Sequence, residues 1–382
     1  TMPKPRMSTL LLLLLAGACD GGGGSFDAPV TRSATVTWRL DAAAADLTRV
    51  TALSVSPTGE LALAQPLDQR VVVVDTAHRP RTIGRDGEGP GEFRYPARVG
   101  HVAGELYVID PRLYRVSRFD AADTFLGSFD EPRTVAFGDT SVVAIEMNLQ
   151  ALLPGGALRM LAVRPRSAPN PPWAVAADSG VSWLIEIDTV GRFRHEIVEL
   201  PTNPCHIRRP AGERLVLMTI PFCAPPLHTG FDAGELVALV EEDHHGPPAL
   251  RVRLLDRMGE PLFDITRPFT PIAVPQAALD SQRAERAEQR ARSRLPLPDD
   301  PAPAATLPAV LRVLVGRDST VWLELEERLP EHTWLVLAPD GTPWGTVVLP
   351  ARSQLAVARR GQLWTLEETP DGFQGIAGFA VR

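Results

Sequence analysis

The sequence predicts an all-β fold, a β-propeller of six blades, with seven as the alternative count. Three observations predict it. A turn followed by a short hydrophobic strand recurs along the 382-residue chain, one strand near the amino end is left over from the repeats, and 37 prolines with 30 glycines separate the apolar runs. Similar units recurring every ~40 to 50 residues are typical of propellers.

The repeated unit starts with a tight turn and the strand that follows it. Six such strands begin at Leu61, Leu106, Leu158, Leu236, Val321 and Leu363. In the first five units a second apolar run ends at an aspartate that starts a turn, and these aspartates are Asp75, Asp120, Asp188, Asp256 and Asp340. Another apolar stretch follows each aspartate turn. Together these strands make the four-stranded antiparallel sheet of one propeller blade.

The stretch Ala34–Leu40 alternates apolar and polar residues and precedes the first repeat, where it has no blade of its own. The sixth repeat offers one strand too few for a complete sheet. We therefore expect residues 34–40 to supply the outer strand of the last blade, which closes the ring and removes exposed sheet edges. This assigns residues 34–382 to the propeller.

Two segments interrupt the repeats. Residues 164–172 form a proline-rich loop in the third unit, and a charged insertion covers about residues 275–306. Within the insertion, residues 276–294 are mostly helix formers, and Glu288 lies four residues before Arg292 as a supporting pair. We expect a surface helix that lies over one face of the propeller.

The string Ile83–Phe93, which contains four glycines, resembles the segment between blades in six-bladed, NHL-like propellers common among lipoproteins of the bacterial cell envelope. The resemblance covers most of residues 50–382 and implies the fold far more than a function. A phosphate-binding loop would lead directly into a helix, whereas Tyr95 and Pro96 follow here. We therefore interpret the glycines as a tight crossover between two blades.

The first 19 residues predict an export signal. Lys4 and Arg6 precede the apolar run Leu10–Leu15, and small residues lead from it to Cys19. This order resembles a bacterial lipoprotein signal, so we expect Cys19 to be lipidated, with plain secretion or a free thiol as the alternatives. Residues 20–33 start with a glycine run and are expected to be a flexible tether. The protein is then anchored at the bacterial cell envelope, facing the periplasm or the surface.

Once Cys19 is assigned to lipid, Cys205 and Cys223 remain as a pair in an oxidising compartment. We expect a disulfide between them, and two buried thiols are the alternative. The one dense set of possible metal ligands, residues 241–245, is interpreted as an exposed loop, because neighbouring positions rarely converge on one ion. We expect neither a metal nor a cofactor.

Arginines gather near the predicted crossovers, which share one face of a propeller. Guanidinium groups suit carboxylates and anionic glycans, so these arginines could line a ligand site. The candidate ligand-binding residues are Arg94, Arg98, Arg133 and Arg209, and Arg208 and Arg352 belong to the same set. The alternative is that they pair with local acids such as Asp130 and Glu131.

The sequence contains neither a Gly-x-Ser-x-Gly nor a His-Glu-x-x-His motif, and no catalytic residue is assigned. A formal charge of −7 without a basic patch argues against a nucleic-acid partner. We expect a monomeric, non-enzymatic binding or scaffolding module for a peptide, glycan or partner protein, held at the membrane by its lipid. The alternative is an NHL-like or lactonase-like hydrolase or lyase with a metal on the propeller axis.

Overall fold

The computed structural model describes residues 30–137, 140–142, 146–163, 182–211, 214–229, 234–244, 246–293, 298–326, 331–369 and 371–382. Within these ranges the chain forms six sheets of four antiparallel strands, with two further hairpins and one α-helix outside them. The predicted six-bladed β-propeller is confirmed, and the alternative of seven blades is wrong.

The strands follow in chain order, and each blade runs from its innermost strand outward. Two strands precede the blades, β1 (Thr31–Arg32) and β2 (Ala34–Leu40). Blade 1 contains β3 (Ala52–Val55), β4 (Leu61–Gln65), β5 (Arg70–Val74) and β6 (Pro80–Ile83), with a 3-10 turn at Pro66–Asp68. Blade 2 contains β7 (Arg98–Val102), β8 (Glu105–Asp110), β9 (Arg115–Phe119) and β10 (Phe125–Asp130). A hairpin of β11 (Val135–Phe137) and β12 (Thr140–Val142) follows.

The second half of the chain continues the pattern. Blade 3 contains β13 (Glu146–Leu153), β14 (Ala157–Val163), β15 (Ser182–Asp188) and β16 (Phe193–Leu200), and a hairpin of β17 (His206–Ala211) and β18 (Arg214–Thr219) follows it. Blade 4 contains β19 (Leu227–His228), β20 (Val237–Asp243), β21 (Ala249–Leu255) and β22 (Pro261–Pro268), and α1 (Gln276–Arg292) follows it. Blade 5 contains β23 (Val310–Val315), β24 (Val321–Leu325), β25 (His332–Leu337) and β26 (Pro343–Leu349). Blade 6 contains β27 (Ser353–Arg359), β28 (Gln362–Glu368) and β29 (Gln374–Val381).

The last blade takes its outermost strand from near the amino end. β2 pairs antiparallel with β29, from Ala34 opposite Val381 to Leu40 opposite Ile376, and the sheet order is β2-β29-β28-β27. The predicted closure of the ring is therefore confirmed.

The two ends of each blade differ. We call the end with the connections between blades the crossover face, and the end with the turns between first and second and between third and fourth strands the turn face.

The predicted tether ends in a short strand, which corrects the expectation that residues 20–33 are flexible throughout. β1 adds to the outer edge of blade 5 in parallel with β26, with Thr31 opposite Thr346. Two contacts hold it there, because the Arg32 guanidinium lies 3.8 Å from the Trp344 ring centroid and Nε donates to the Trp344 carbonyl at 3.2 Å. The outer edge of a blade offers unpaired backbone groups, and β1 covers them.

Apolar side chains pack between neighbouring blades and form the core. Trp322 and Trp334 are completely buried in a cluster shared by blades 5 and 6. Trp364 is buried in a cluster between blades 6 and 1, and Trp344 packs partly buried against the first cluster. Each buried tryptophan removes about 150–250 Å² from water, so these residues contribute strongly to blade packing.

The aspartate turns between third and fourth strands have a common hydrogen-bond pattern. Asp75 Oδ1 accepts the N–H groups of Ala77 and Arg79 at 2.9 Å each. Asp120, Asp188 and Asp256 accept the equivalent pairs, whereas in blade 5 the equivalent position is Ala338 and Asp340 lies inside the turn. The side chain thus satisfies backbone donors that the turn leaves unpaired. The residue two positions before the fourth strand has a positive φ in each turn, and these residues are His78, Asp123, Gly191, Gly259 and Gly341.

Two additions lie beside each other on the crossover face. The predicted helix is confirmed, ending at Arg292 instead of residue 294, and none of its residues is buried. The predicted disulfide is also present, and Cys205 and Cys223 join the ends of the β17–β18 hairpin with a Cα–Cα distance of 5.4 Å. The insertion contacts this hairpin region, because the Ala304 N–H donates to the Pro221 carbonyl at 2.9 Å.

The predicted signal, Cys19 and most of the tether lie outside the described residues, as does the loop at 164–172. In the described part of the chain, no helix combines the length and the apolar character that a bilayer span needs.

Candidate functional site

The strand registers align one position on the innermost strand of every blade. The leading Leu or Val of each second strand comes from the sequence repeat, and the residue three positions after it pairs with one innermost residue. In blade 4 the leading residue is Val237, which pairs with Leu255 as Leu61 pairs with Val74, and not the preceding Leu236 of the sequence repeat. The six partners are Ala52, Arg98, Asn148, Leu227, Arg312 and Gln354. Because they are equivalent in six blades arranged around an axis, they lie at one level of the central channel. We call this set the axial ring.

Burial shows that the axial ring is the accessible position of each innermost strand. None of its six residues is buried, and Asn148 and Gln354 are exposed. On five blades the residue just beyond the ring position is buried, and these residues are Leu53, Val99, Leu149, Val313 and Leu355. Alternate side chains of a strand point to opposite sides. The ring residues therefore take the side open to water.

The composition of the axial ring repeats after three blades. Arg98 and Asn148 are neighbours on blades 2 and 3, and Arg312 and Gln354 are neighbours on blades 5 and 6. Each half of the ring thus presents one guanidinium beside one amide, on opposite sides of the axis. Both groups donate hydrogen bonds to carboxylate oxygens.

The two ring arginines make the same backbone contact. Arg98 Nη1 donates to the carbonyl of Leu149 on the next innermost strand, and Arg312 Nη2 donates to the carbonyl of Leu355 at 2.8 Å. Leu149 and Leu355 each follow the ring amide of their blade. Burial lowers the pKa of both guanidinium groups, and the nearby carboxylates of Glu131 and Glu324 act in the opposite direction. Both arginines keep their charge at neutral pH.

A carboxylate accompanies each ring arginine. Glu131 Oε1 accepts the Leu149 N–H at 3.1 Å on the side of Arg98. Glu324 Oε2 lies 3.6 Å from Arg312 Nη1, and Glu324 Oε1 is 2.5 Å from His332 Nδ1. Glu324 itself is buried. These acids hold the arginines in place and reduce the positive charge that the channel presents.

Below the axial ring, towards the turn face, His101 is held neutral. Its Nδ1 lies 3.0 Å from Ser54 Oγ on the innermost strand of blade 1. Burial, and then the charge of Arg317, lower the pKa of His101 to about 4. Gly100 beside it leaves room for the Tyr107 ring, because a Cβ there would lie 2.3 Å from the Tyr107 hydroxyl.

A buried cation, Arg159, lies between blades 3 and 4. Arg159 has no exposed surface, and its Nη1 donates to the carbonyls of Gly234 at 3.1 Å and Leu236 at 2.8 Å. Burial lowers the pKa of Arg159 to about 10, against the influence of Tyr107. Burial likewise lowers the pKa of His228, which follows the ring position of blade 4; a backbone hydrogen bond at Thr229 opposes this effect and the charge of Arg159 adds to it.

The structure separates the arginines that the sequence suggested as one site. Only Arg98 belongs to the axial ring. Arg94 lies in the loop before blade 2 and pairs with Asp86 at 2.9 Å and Glu88 at 3.3 Å. The other members lie at separate places: Arg133 is 3.6 Å from the Tyr114 ring centroid, Arg208 and Arg209 are on the β17–β18 hairpin, and Arg352 is 3.9 Å from Glu367.

The dense acidic and histidine set of residues 241–245 begins within a strand, which corrects its interpretation as a loop. Glu241 pairs with Arg253 at 2.7 Å, and Glu242 Oε1 accepts the Ala309 N–H at 2.6 Å and contacts His244 through Oε2 at 3.1 Å. Glu241 is thus paired within blade 4, and Glu242 joins blade 4 to the start of blade 5. Among the described residues no three His, Cys, Asp or Glu side chains converge on a possible metal position.

Three of the four polar ring residues escaped the sequence analysis, namely Asn148, Arg312 and Gln354. The sequence repeat could have helped to locate them, because each ring residue lies a short distance before the leading Leu or Val of its unit. The interval varies, however, from eight residues between Arg98 and Leu106 to ten between Asn148 and Leu158. Turns of different length and β-bulges cause this variation, so only the strand register identifies the equivalent positions.

No protein-family model matches the chain, and no curated protein matches it either. Solved structures align with most of its length. The PQQ-bound aldose sugar dehydrogenase of Streptomyces coelicolor shares 12% identity at a TM-score of 0.40, covering 93% of this chain and 100% of that one. A Bacteroides fragilis protein described only as exported shares 9% at 0.44, covering 92% and 99%, and virginiamycin B lyase of Staphylococcus aureus shares 10% at 0.41, covering 91% and 99%. These proteins differ from one another in activity, and a shared fold transfers none of those activities to this chain.

Proposed function

We propose that this protein is an exported binding module of the bacterial cell envelope, anchored by lipid on Cys19, whose axial ring takes a ligand that carries carboxylates. The single observation that carries the proposal is the repeated guanidinium and amide pair, Arg98 with Asn148 and Arg312 with Gln354, on opposite sides of one channel. A ligand with two carboxylates, or an acidic chain that crosses the axis, would meet one pair at each end.

The crossover face supports a role in binding larger partners. Apolar side chains stand exposed on loops of this face, with Leu67 at 60%, Tyr114 at 48% and Phe373 at 47% exposure. The β17–β18 hairpin adds Leu217 at 58%. These residues share one face of the propeller with the connections between blades, so a larger partner on this face could bury them.

The amino end supports an orientation with the crossover face pointing away from the anchor. β1 runs parallel to β26, so the residues before Thr31 approach from the turn face. Ten residues between position 19 and the first described residue reach about 35 Å when extended. An anchored propeller would then keep its turn face nearer to the membrane.

The alternative, a hydrolase or lyase with a metal on the axis, finds less support in the ring composition. The ring itself supplies two guanidinium groups and two amides, and the nearest carboxylates, Glu131 and Glu324, each accompany one of the two arginines. Positive side chains repel a cation at short range. The proposal of a binding module uses the same residues without that conflict.

Calorimetric titration tests the proposal with four probes, a glutamate hexapeptide, a galacturonate hexamer, a glutamine hexapeptide and neutral maltohexaose. We expect one acidic probe to bind and its affinity to fall as salt rises. Arg98→Gln and Gln354→Ala should each weaken binding about tenfold or more, whereas Arg94→Gln, which removes an equally charged arginine outside the ring, should not. Equal affinity for acidic and neutral probes, or insensitivity to both ring variants, contradicts the proposal.

A separate fractionation tests the anchor. Cys19→Ala should move the protein from the membrane fraction to the soluble exported fraction, because a lipid chain supplies membrane affinity that the rest of the chain does not need to provide. Ser8→Ala, within the same amino-terminal segment, serves as the matched control and should stay with membranes. Continued membrane association of the Cys19 variant would contradict lipidation.

A further inference from the structure

A pocket opens on the turn face where the ring closes between blades 6 and 1. Its volume is about 320 Å³, near the lower end of the range of ~300–1,000 Å³ that small-molecule sites occupy. Trp38 on the closing strand β2, His78 in the third turn of blade 1 and Trp364 on β28 contribute its rings. We call it the seam pocket. Its size suits one ring-sized molecule.

His78 is the unusual residue of the seam pocket. Its backbone has a φ of 61°, at a turn position where blades 3, 4 and 5 have glycine and blade 2 has aspartate. The turn itself therefore does not need an imidazole, and glycine would satisfy the backbone at lower cost. The His78 ring instead stacks on Trp38, with centroids 4.3 Å apart and an angle of 24° between planes. Trp38 is partly buried and His78 is exposed, so the flat surface that the stack leaves to solvent is the outer face of the His78 ring.

Two positively charged side chains, Arg317 and Arg359, also line the seam pocket. Arg359 is exposed and lies 5.8 Å from the Trp364 ring centroid, and Arg317 donates to the carbonyls of Val55 and Ser56. Among the residues that line the pocket the one acid is Asp75, and its carboxylate is already bound to backbone N–H groups and to Arg79 at 2.7 Å. The seam pocket therefore favours an anion.

We infer that the seam pocket binds a hexuronate, a sugar ring that carries one carboxylate. The flat His78 and Trp38 stack suits the apolar face of a sugar ring, and the guanidinium of Arg359 suits its carboxylate. The inference is independent of the axial ring, because the two sites share no residue.

Occupation of the seam pocket would also strengthen ring closure. Trp38 comes from near the amino end, His78 from blade 1, and Arg359 and Trp364 from blade 6. A ligand that contacts all three parts binds the closed ring and not the opened one. Binding should therefore raise the melting temperature of the protein.

The test titrates the full exported protein with sodium D-glucuronate and with D-glucose, by calorimetry and by thermal melting. We expect saturable glucuronate binding with a rise in melting temperature, and affinity for glucose lower by about tenfold or more. His78→Gly and Arg359→Gln should each weaken glucuronate binding by a similar factor. Arg360→Gln is the matched control, because Arg360 is the adjacent exposed arginine and pairs with Asp318 at 2.9 Å outside this pocket.

His78→Gly keeps the test interpretable, because glycine occupies the same turn position in three other blades. Its melting temperature without ligand should match that of the parent or exceed it. Equal binding of glucose and glucuronate, no saturation by glucuronate, or unchanged affinity in both the His78 and Arg359 variants would each overturn the inference. Loss of binding in Arg360→Gln alone would overturn it as well.

Discussion

Arg98 and Arg312 occupy equivalent positions three blades apart, and each guanidinium donates to a backbone carbonyl on the innermost strand of the following blade. The acceptor residues, Leu149 and Leu355, are themselves equivalent. The two arginines thus join neighbouring blades at two opposite points of the ring. They also bring positive charge to the level where a ligand in the channel would bind, so stability and binding depend on the same residues.

Replacing either ring arginine should therefore reduce stability as well as affinity. Arg98→Gln and Arg312→Gln each remove a charged donor to a carbonyl, and we expect a loss of about 1.5–3 kcal/mol in the free energy of unfolding for each. The two sites lie on opposite sides of the ring and share no partner, so the losses should add in the double variant. Urea denaturation measures both effects, and a strongly non-additive result would show that the sites are coupled.

Removing the closing strand should open the ring. A chain that begins at residue 41 lacks β2, so β29 would have an unpaired edge and Trp38 would be lost from the cluster between blades 6 and 1. We expect a lower melting temperature and self-association through the free edge. Light scattering after gel filtration measures the mass. A chain that begins at residue 30 is the control and should remain unchanged, and a stable monomer without β2 would contradict the role of closure.

Acidification should destabilise the protein through His101. Its pKa is lowered to about 4 in the fold, whereas an unfolded histidine titrates near 6.5. Between these values the unfolded state binds more protons, so stability present at pH 7 falls as pH decreases from about 6.5 to 4, by up to about 3 kcal/mol. Urea denaturation at several pH values measures the slope. His101→Gln should flatten it over this window, and an unchanged slope would assign the effect to another group.

Protonation of Glu186 should destabilise the protein further at pH values below the ordinary glutamate pKa. This buried carboxylate of blade 3 is 2% exposed and forms two bonds with Arg257 of blade 4, at 2.6 and 2.7 Å. Burial acts to raise its pKa, but the hydrogen bonds and charge of Arg257 prevail and lower it. The stabilisation is therefore present above the ordinary glutamate pKa and is lost as pH falls through the lowered value.

Glu186→Gln tests that prediction and should cost about 3 kcal/mol at pH 7, because it removes the buried carboxylate partner of Arg257 and leaves only the exposed Glu235 at 3.2 Å. Glu105→Gln is the matched control, since Glu105 forms a 3.5 Å pair with Arg118 and both side chains are more than 40% exposed. That change should cost less than about 1 kcal/mol. Similar losses in the free energy of unfolding for both variants would contradict the prediction that the buried ion pair between blades 3 and 4 stabilises the fold more than an exposed pair does.

Much of the architecture could be predicted from local patterns. The leading strands at Leu61 and Leu106, the aspartate turn at Asp75 and the surplus strand at 34–40 all appear where the sequence indicated them. These signals are local, because a turn needs particular backbone donors and acceptors within a few residues and a strand needs alternation over a few more. Closure followed from matching one surplus strand to one missing strand.

The candidate sites could be predicted only in part. Arg98 was identified from its place near a crossover, but Arg94 and Arg133, chosen for the same reason, contact local acids or an aromatic ring instead. Nothing in the chain order indicated that Trp38 and Trp364 line one pocket with His78. Those residues are separated by most of the sequence and meet only because the ring closes.

Patterns along the chain predicted six blades, the closing strand, the surface helix and a disulfide between Cys205 and Cys223, with seven blades and two buried thiols as alternatives, because periodicity and turn chemistry act over short stretches of sequence. Which side chains share the axis and the seam depended on the tertiary fold. Turn lengths and β-bulges shift each innermost strand by one or two residues relative to its repeat, and a shift of one residue turns a strand side chain to the opposite side. Residues such as Asn148 and Gln354 therefore became equivalent only when the strands were paired.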